Sequence, residues 1–326
     1  MSMITTTQYI RSALAQALSD DPRVFLIGED IAEYGGSFGV SRGLLDRFGP
    51  ERIRNTPISE PAFTGISIGA AVAGSRPIVE IMFMDFITLC VDQLVNMAAK
   101  IHYIYGQTCP LVLRTATGAG RSYGATHSQT LERLFTGIPG LKVVAGANGP
   151  DCAGLLLGAL ADPNPVIVLE HKLLYPLRWE GEENAHIEPI APGRARVARE
   201  GTDITIIAWS YMAYQSERAA AALAEEEIEA EVIDLRSLAP VDWETVLASV
   251  RKTRRVLIVE EGPLTGGVAA EISAHIAEEA FEDLDLPVRR LAMADIPVPS
   301  ARELEQAVMP NATAIIDAAR DLATLA

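Results

Sequence analysis

The strongest candidate for chemistry is a single glutamate in the segment TPISEPAFTGISIGAAVAGSRPIVEIMFMDF, residues 56–86, where Glu60 stands just before a run of Gly and Ala. Small side chains let a helix pack closely enough to take that carboxylate out of water. A carboxylate so placed makes a strong hydrogen bond, because water cannot compete for it. The same residues also suit a plain negative charge at a helix N-terminus, stabilised by the helix dipole. Further along, Met82, Phe83 and Phe86 close an apolar run. They could form a dry, flat platform for a heteroaromatic ring, or simply core. A Gly-rich stretch, TGAGRSYGATHSQ at residues 117–129, carries His127. Its spacing is wrong for dinucleotide binding, and glycine there permits the unusual dihedrals of a loop after a strand.

These residues must be held by something, and the surrounding pattern says what. An amphipathic helix is expected over 6–18, with Ile10, Leu14 and Leu18 on one face. Strand-length apolar runs follow at 24–27, 77–83, 111–115, 142–145 and 166–170. A long helix is expected over 86–105, with shorter ones near Leu131 and Ala153. Such alternation reads as a parallel sheet covered by helices on both faces. Residues 178–201 turn polar and Pro-containing, a linker or a connecting loop with a short strand, after which the alternation restarts, with strands at 204–209, 231–235 and 256–260. The expected fold class is therefore α/β with two domains, each a largely parallel sheet flanked by helices. The boundaries fall at 1–178, a linker at 179–200, and 201–326.

Composition narrows the function. Hydrophobic residues make up 49% of the 326 and charged ones 21%, rich enough to imply apolar surface covered by other chains. A net charge of −16 leaves nothing to neutralise a polyanion, so nucleic acid is excluded as a partner. Cys90, Cys109 and Cys152 are odd in number and widely spaced. That arrangement points to neither a disulfide framework nor a thiolate zinc site, and so to a reducing compartment. No basic stretch leads into an apolar one at the start, and no apolar run reaches the ~20 residues that span a bilayer. The expectation is a cytoplasmic protein with no membrane association. The sequence also offers no phosphate-binding loop, no paired-histidine metal motif and no nucleophile elbow.

Taken together, several runs carry a specific resemblance: FLIGEDIAEYGGSFGVSRGLLDRFG, the 56–86 segment, DQLVNMAAK, ATHSQ, IPGLKVV and LEHKLLY. They resemble the β subunits of the pyruvate, branched-chain 2-oxo acid and acetoin dehydrogenases. EVIDLRSLAPVD, EEGPLTGGVAAEI and DIPVPSARELE resemble the same family's transketolase-type C-terminal domain, so the likeness covers nearly the whole chain.

The resemblance implies a thiamine-diphosphate-binding pyrimidine-type domain in a divided active site. This chain would hold the pyrimidine half, and an α subunit would hold the diphosphate and its magnesium. The family's Gly-Asp-Gly metal-diphosphate motif is absent from this sequence. Glu60 matches the family's catalytic glutamate, which hydrogen-bonds a ring nitrogen of the aminopyrimidine and favours its imino tautomer. By family position Met82 and Phe86 line the pyrimidine, and Glu29 sits near the same pocket. His127 matches a substrate-channel histidine able to donate a proton or to orient lipoamide. Leu111, Ala159, Asp162 and Asn164 lie where some relatives hold a structural potassium ion, though a turn before a strand also accounts for Asp, Pro and Asn there.

The implied reaction is oxidative decarboxylation or cleavage of a 2-oxo acid, with acyl transfer to the lipoyl group of a dihydrolipoyl acyltransferase. The implied assembly is an α2β2 heterotetramer. Gln107 and the pair Arg121 and Tyr123 depart from the commonest family pattern near the channel, and an arginine there could grip a carboxylate. Substrate choice among pyruvate, acetoin and branched-chain 2-oxo acids stays open, with EIMFMDF and EHKLLY slightly nearer acetoin dehydrogenase. A split transketolase, a deoxyxylulose-phosphate-synthase-like carboligase and a noncatalytic scaffold subunit are the competing readings.

Overall fold

The structure is a computed structural model that describes residues 2–325. Val24–Gly28, Val112–Thr117 and Val166–His171 are buried at every position, as parallel strands covered on both faces must be. Seven strands form the N-terminal sheet, in the order Ser237–Ala239, Lys142–Ala145, Val166–His171, Val112–Thr117, Arg76–Ile81, Val24–Gly28 and Ile53–Asn55. Every neighbouring pair is parallel except the first. That antiparallel edge strand, Ser237–Ala239, comes from the C-terminal half of the chain.

Alternate residues of each strand face opposite sides. Val24 and Leu26 pack with the helices Thr6–Asp20 and Gly149–Ala161, whereas Phe25 and Ile27 join the core on the other face. The first helix begins with a reciprocal cap, in which Gln8 N donates to Thr5 Oγ1 at 3.2 Å and Thr5 N to Gln8 Oε1 at 2.8 Å.

The second sheet has five strands in the order Arg289–Met293, Val256–Pro263, Ile204–Ala208, Ala230–Asp234 and Arg196–Arg199, the last antiparallel and the rest parallel. The helices Ser210–Ala224 and Ala312–Thr324 cover one face. On the other, Ile207, Ile233 and Ile258 merge with Ile167 and Leu169 of the first sheet in one continuous core. The two-domain α/β architecture expected from the alternation is the one observed, with the halves fused through that core.

Two details differ from the sequence reading. The expected regular helix over 86–105 is a 3₁₀ turn at Met84–Cys90, a widened π turn at Gln93–Ala98 and an α-helix only at Ala99–Tyr105. The 3₁₀ turn seats the Cys90 thiol 3.3 Å from Thr64 Oγ1, and the π turn brings Gln93 against Gly65. The stretch 179–200 also holds more than the one short strand allowed for it, since Arg178–Glu180 pairs antiparallel with Met3–Thr5 and Arg196–Arg199 edges the second sheet.

Arg114 lies in the middle of the N-terminal sheet with its side chain fully out of water. Its Nε donates to Glu170 Oε1 at 2.8 Å, and its other nitrogens bond Glu170 and Glu80. The Tyr175 hydroxyl donates to Glu170 Oε2 at 2.8 Å. Burial drives the Glu80 carboxyl upward, and the Arg114 charge opposes that shift. Removing the cation would leave two carboxylates buried and unpaired. Arg114→Met is therefore expected to lower the unfolding free energy by about 3–5 kcal/mol. Arg23→Met, which breaks the solvent-screened surface pair with Asp21, should lower it far less. Urea midpoints of the two variants check the contrast.

Candidate active site

Three adjacent parallel strands, Val24–Gly28, Arg76–Ile81 and Val112–Thr117, carry the predicted site residues just beyond their C-terminal ends. Glu29 follows the first, Met82 and Phe86 follow the second, and the loop bearing His127 follows the third. Parallel sheets leave their strand-end loops free for chemistry at this edge, because the covering helices pack along the faces. Glu60 enters from the side as the first residue of the helix Glu60–Val72, and it is buried. Its preceding residue, Ser59, gives no side-chain cap. The Ser59 hydroxyl instead donates to Pro57 O at 3.0 Å.

Glu29 and Glu60 stand close enough to influence one another. Burial first, and then the Glu60 charge, hold the Glu29 carboxyl above its ordinary range, while a hydrogen bond from the Ser59 backbone acts the other way. Glu29 Oε1 is buried without a partner. Both carboxylates also bear on Cys90, whose thiol burial pushes up to about 11, so this buried cysteine is inert.

The platform expected from Met82, Phe83 and Phe86 centres on Phe83. Its ring meets Phe38 edge-on at 5.6 Å, Phe86 at 6.2 Å, Tyr123 at 6.1 Å and His127 at 5.1 Å. His127 also meets Phe86 at 5.3 Å, and its Nδ1 lies 3.0 Å from Thr126 Oγ1. Phe38 stacks on Tyr175 at 4.9 Å, which ties the platform to the Arg114 network. Met82 follows the strand end and is half-buried.

Lys172 is the residue that sequence reasoning missed. It is fully buried, its ammonium lies 5.2 Å from the Phe83 ring centroid, and it donates to the His127 carbonyl. Burial lowers its pKa to about 8, against the pull of Asp85 and Glu261. The run EHKLLY was quoted only for likeness, and nothing in its local pattern marks the lysine as facing a histidine 45 residues earlier. Arg121 is tied down, with one guanidinium nitrogen donating to Lys172 O at 3.1 Å.

Leu111, Ala159, Asp162 and Asn164 gather around one turn. Leu111 O accepts from Val166 N at 2.9 Å, Ala159 O from Asp162 N at 3.2 Å, and Asp162 Oδ1 from Asn164 N at 3.0 Å. The other Asp162 oxygen pairs with Lys142, and Asn164 Oδ1 is buried without a partner. Among the described residues no group of three or more His, Cys, Asp or Glu converges as a metal site. The spacing Gly-x-Ser-x-Gly does occur at 65–69, contrary to the sequence reading. It lies inside the helix Glu60–Val72, with Ser67 Oγ bonded to Phe63 O at 2.7 Å, so it forms no nucleophile elbow.

Comparison with known proteins agrees with this geometry. Residues 2–178 match the family described as transketolase, pyrimidine binding domain, and residues 193–315 the one described as transketolase, C-terminal domain. The chain is 44% identical over 323 residues to the mitochondrial pyruvate dehydrogenase E1 component subunit beta-1 of Arabidopsis thaliana, covering 97% of this chain and 88% of the relative. It is 42% identical over 319 residues to the pyruvate dehydrogenase E1 component subunit beta of Rickettsia felis, covering 97% of each. A solved split gene transketolase, described as an inactive beta4 tetramer, superimposes with a TM-score of 0.82 at 22% identity, covering 99% of both chains. That likeness establishes the fold.

The two domain matches and the fold place the chain in the transketolase-type, thiamine-diphosphate-dependent class of protein. Within it, the chain belongs to the family of 2-oxo acid dehydrogenase β subunits.

The Glu29 carboxyl yields a pH test. With its pKa raised in the folded state, the folded chain keeps a proton that the unfolded chain releases. Stability on this account falls as pH rises from the ordinary carboxylate range through the raised value. Glu29→Gln should remove that loss, so its melting temperature gains on the native chain as pH rises above the ordinary carboxylate range. Parallel curves would show that Glu29 carries no such strain.

Proposed function

We propose that this chain is the β subunit of the first component of a pyruvate-type 2-oxo acid dehydrogenase complex, acting on thiamine diphosphate shared with an α subunit. The observation that carries the reading is the buried Glu60 at the start of its helix, beside the unpartnered Glu29 oxygen. The aromatic surface of Phe83 and Phe86 suits a flat heteroaromatic ring. When bound, the cofactor supplies an acidic thiazolium carbon and an electron sink for decarboxylation.

This chain's residues have narrower tasks. Glu60 holds the proton at a ring nitrogen of the aminopyrimidine, in a site where water does not weaken the bond. Glu29 keeps that corner proton-rich, and Met82 and Phe86 hold the ring. His127, with Nδ1 engaged by Thr126, offers Nε2 to the substrate as a proton donor or to orient lipoamide.

Magnesium and diphosphate belong to the α subunit in this reading, and the acyl product passes to a lipoyl-bearing acyltransferase. An apolar strip supports docking of another chain: Ile58 is 84% exposed, Ile66 63% and Tyr103 90%, and Leu89 and Met97 are also bare. An α2β2 heterotetramer is the assembly we propose. The three buried free cysteines favour a reducing compartment such as the cytoplasm. No helix among the described residues is long and apolar enough to cross a membrane.

A potassium ion at the 159–164 turn is proposed because Asn164 Oδ1 is buried there without a partner. A higher melting midpoint in potassium than in choline chloride at equal ionic strength is its expected sign, and equal midpoints would count against it.

The reading as a whole is tested by coexpression with an α-type partner and dye reduction across pyruvate, acetoin and branched-chain 2-oxo acids. Pyruvate should turn over fastest, because the relatives are pyruvate dehydrogenase β subunits. Glu60→Gln should lower the rate at least about 100-fold. Near-normal turnover in that variant would make the catalytic assignment wrong. Turnover of sugar phosphates with no 2-oxo acid oxidation would favour the split-transketolase alternative.

A further inference from the structure

The loop that carries His127 does not hold its own shape. Gly118, Gly120, Ser122 and Gly124 all adopt positive φ, at 92°, 91°, 59° and 74°. At Gly118 a Cβ would lie 1.9 Å from His171 Nε2, so the backbone passes too close for any side chain. Ser122 has a side chain and still sits in the left-handed region. A segment this contorted persists only where its surroundings over-determine it.

The restraints come from the C-terminal domain. Glu305, in the short helix Arg302–Val308, is 1% exposed although nearby Glu303 lies in solvent. One Glu305 oxygen accepts from Gly120 N at 2.9 Å, the other from Ser122 N at 2.9 Å, with Ser122 Oγ 3.4 Å from the latter. Glu261 accepts from Ala119 N at 2.6 Å while pairing with His171 at 2.7 Å. Met293 and Val298 pack on Ala119, and Ser300 lies against Gly124. Immediately past the clamped stretch, the chain lays Tyr123 and His127 on Phe83.

Two amide donors on the two oxygens of one buried carboxylate form a charge-assisted fork. A glutamine in that place has a single acceptor, and its NH₂ would face the second N–H. We propose that Glu305 is a positioning residue for the substrate channel: through it the C-terminal domain fixes the loop that delivers Tyr123 and His127. Glu305 touches neither substrate nor cofactor. Its effect on turnover rests on the dehydrogenase reading above, whereas its effect on the loop does not.

The test compares native chain, Glu305→Gln and Glu303→Gln, each assembled with the α-type partner. Hydrogen exchange by mass spectrometry reads the loop directly. Glu305→Gln should speed exchange of the 119–128 peptide by about tenfold or more, the loss of one strong hydrogen bond. Exchange in both sheets should stay unchanged, and Glu303→Gln should match the native chain. In the same samples kcat/KM for the 2-oxo acid should fall about tenfold, with thiamine diphosphate affinity retained because the Glu60 corner is untouched.

Glu305→Asp keeps two acceptors at shorter reach and should restore part of both losses. It also carries the exchange comparison should the glutamine variant fail to fold. Loop exchange indistinguishable from native in Glu305→Gln, or in Glu305→Asp where the glutamine variant does not fold, would overturn the proposal. If the native assembly turns over no 2-oxo acid, the dehydrogenase reading fails, and the exchange data still decide the role of Glu305.

Discussion

A buried carboxylate, Glu60, set beside the half-buried Glu29 at one edge of a parallel sheet, governs the terms for the rest of the molecule. Isolated, such a group is costly to bury, and a like charge beside a carboxylate raises its affinity for protons. Glu29 shows the effect, with a raised pKa and an oxygen that no group in the chain satisfies. The strain is tolerable because strand Val24–Gly28 and helix Glu60–Val72 are fixed by a core that extends through both domains. In the proposed function, a ring nitrogen of the cofactor completes this site.

The supporting architecture works outward in layers. Under the aromatic platform, Arg114 neutralises Glu80 and Glu170, and Glu170 accepts from the hydroxyl of Tyr175, which stacks on Phe38 and so steadies Phe83. From the opposite side Lys172 holds the His127 carbonyl and presents its charge to the same ring. The C-terminal domain supplies the edge strand Ser237–Ala239 and the carboxylates that grip the 119–122 backbone. In this structure the second domain is part of how the first one forms its site.

Much of this was legible in the residues because it follows local rules. Apolar runs of strand length separated by helical periods specified two α/β units, and Glu60 beside small residues announced a carboxylate that could be buried. The parts that stayed hidden depend on long-range pairing. Arg114 meets Glu170, 56 residues away, and Glu305 meets Gly120, 185 residues away, so no window of sequence displays either contact. The irregular helix over 84–105 was hidden for another reason. Its apolar spacing fits a regular helix, and only packing of Cys90 on Thr64 and Gln93 on Gly65 distinguishes the turns actually formed.

The central claim is that Glu60 serves a cofactor this chain cannot hold alone. Calorimetric titration of thiamine diphosphate with magnesium, into the isolated chain and into the chain assembled with an α-type partner, tests it most directly. The isolated chain should show no measurable binding and the assembly saturable binding. Equal affinity in both would contradict the claim.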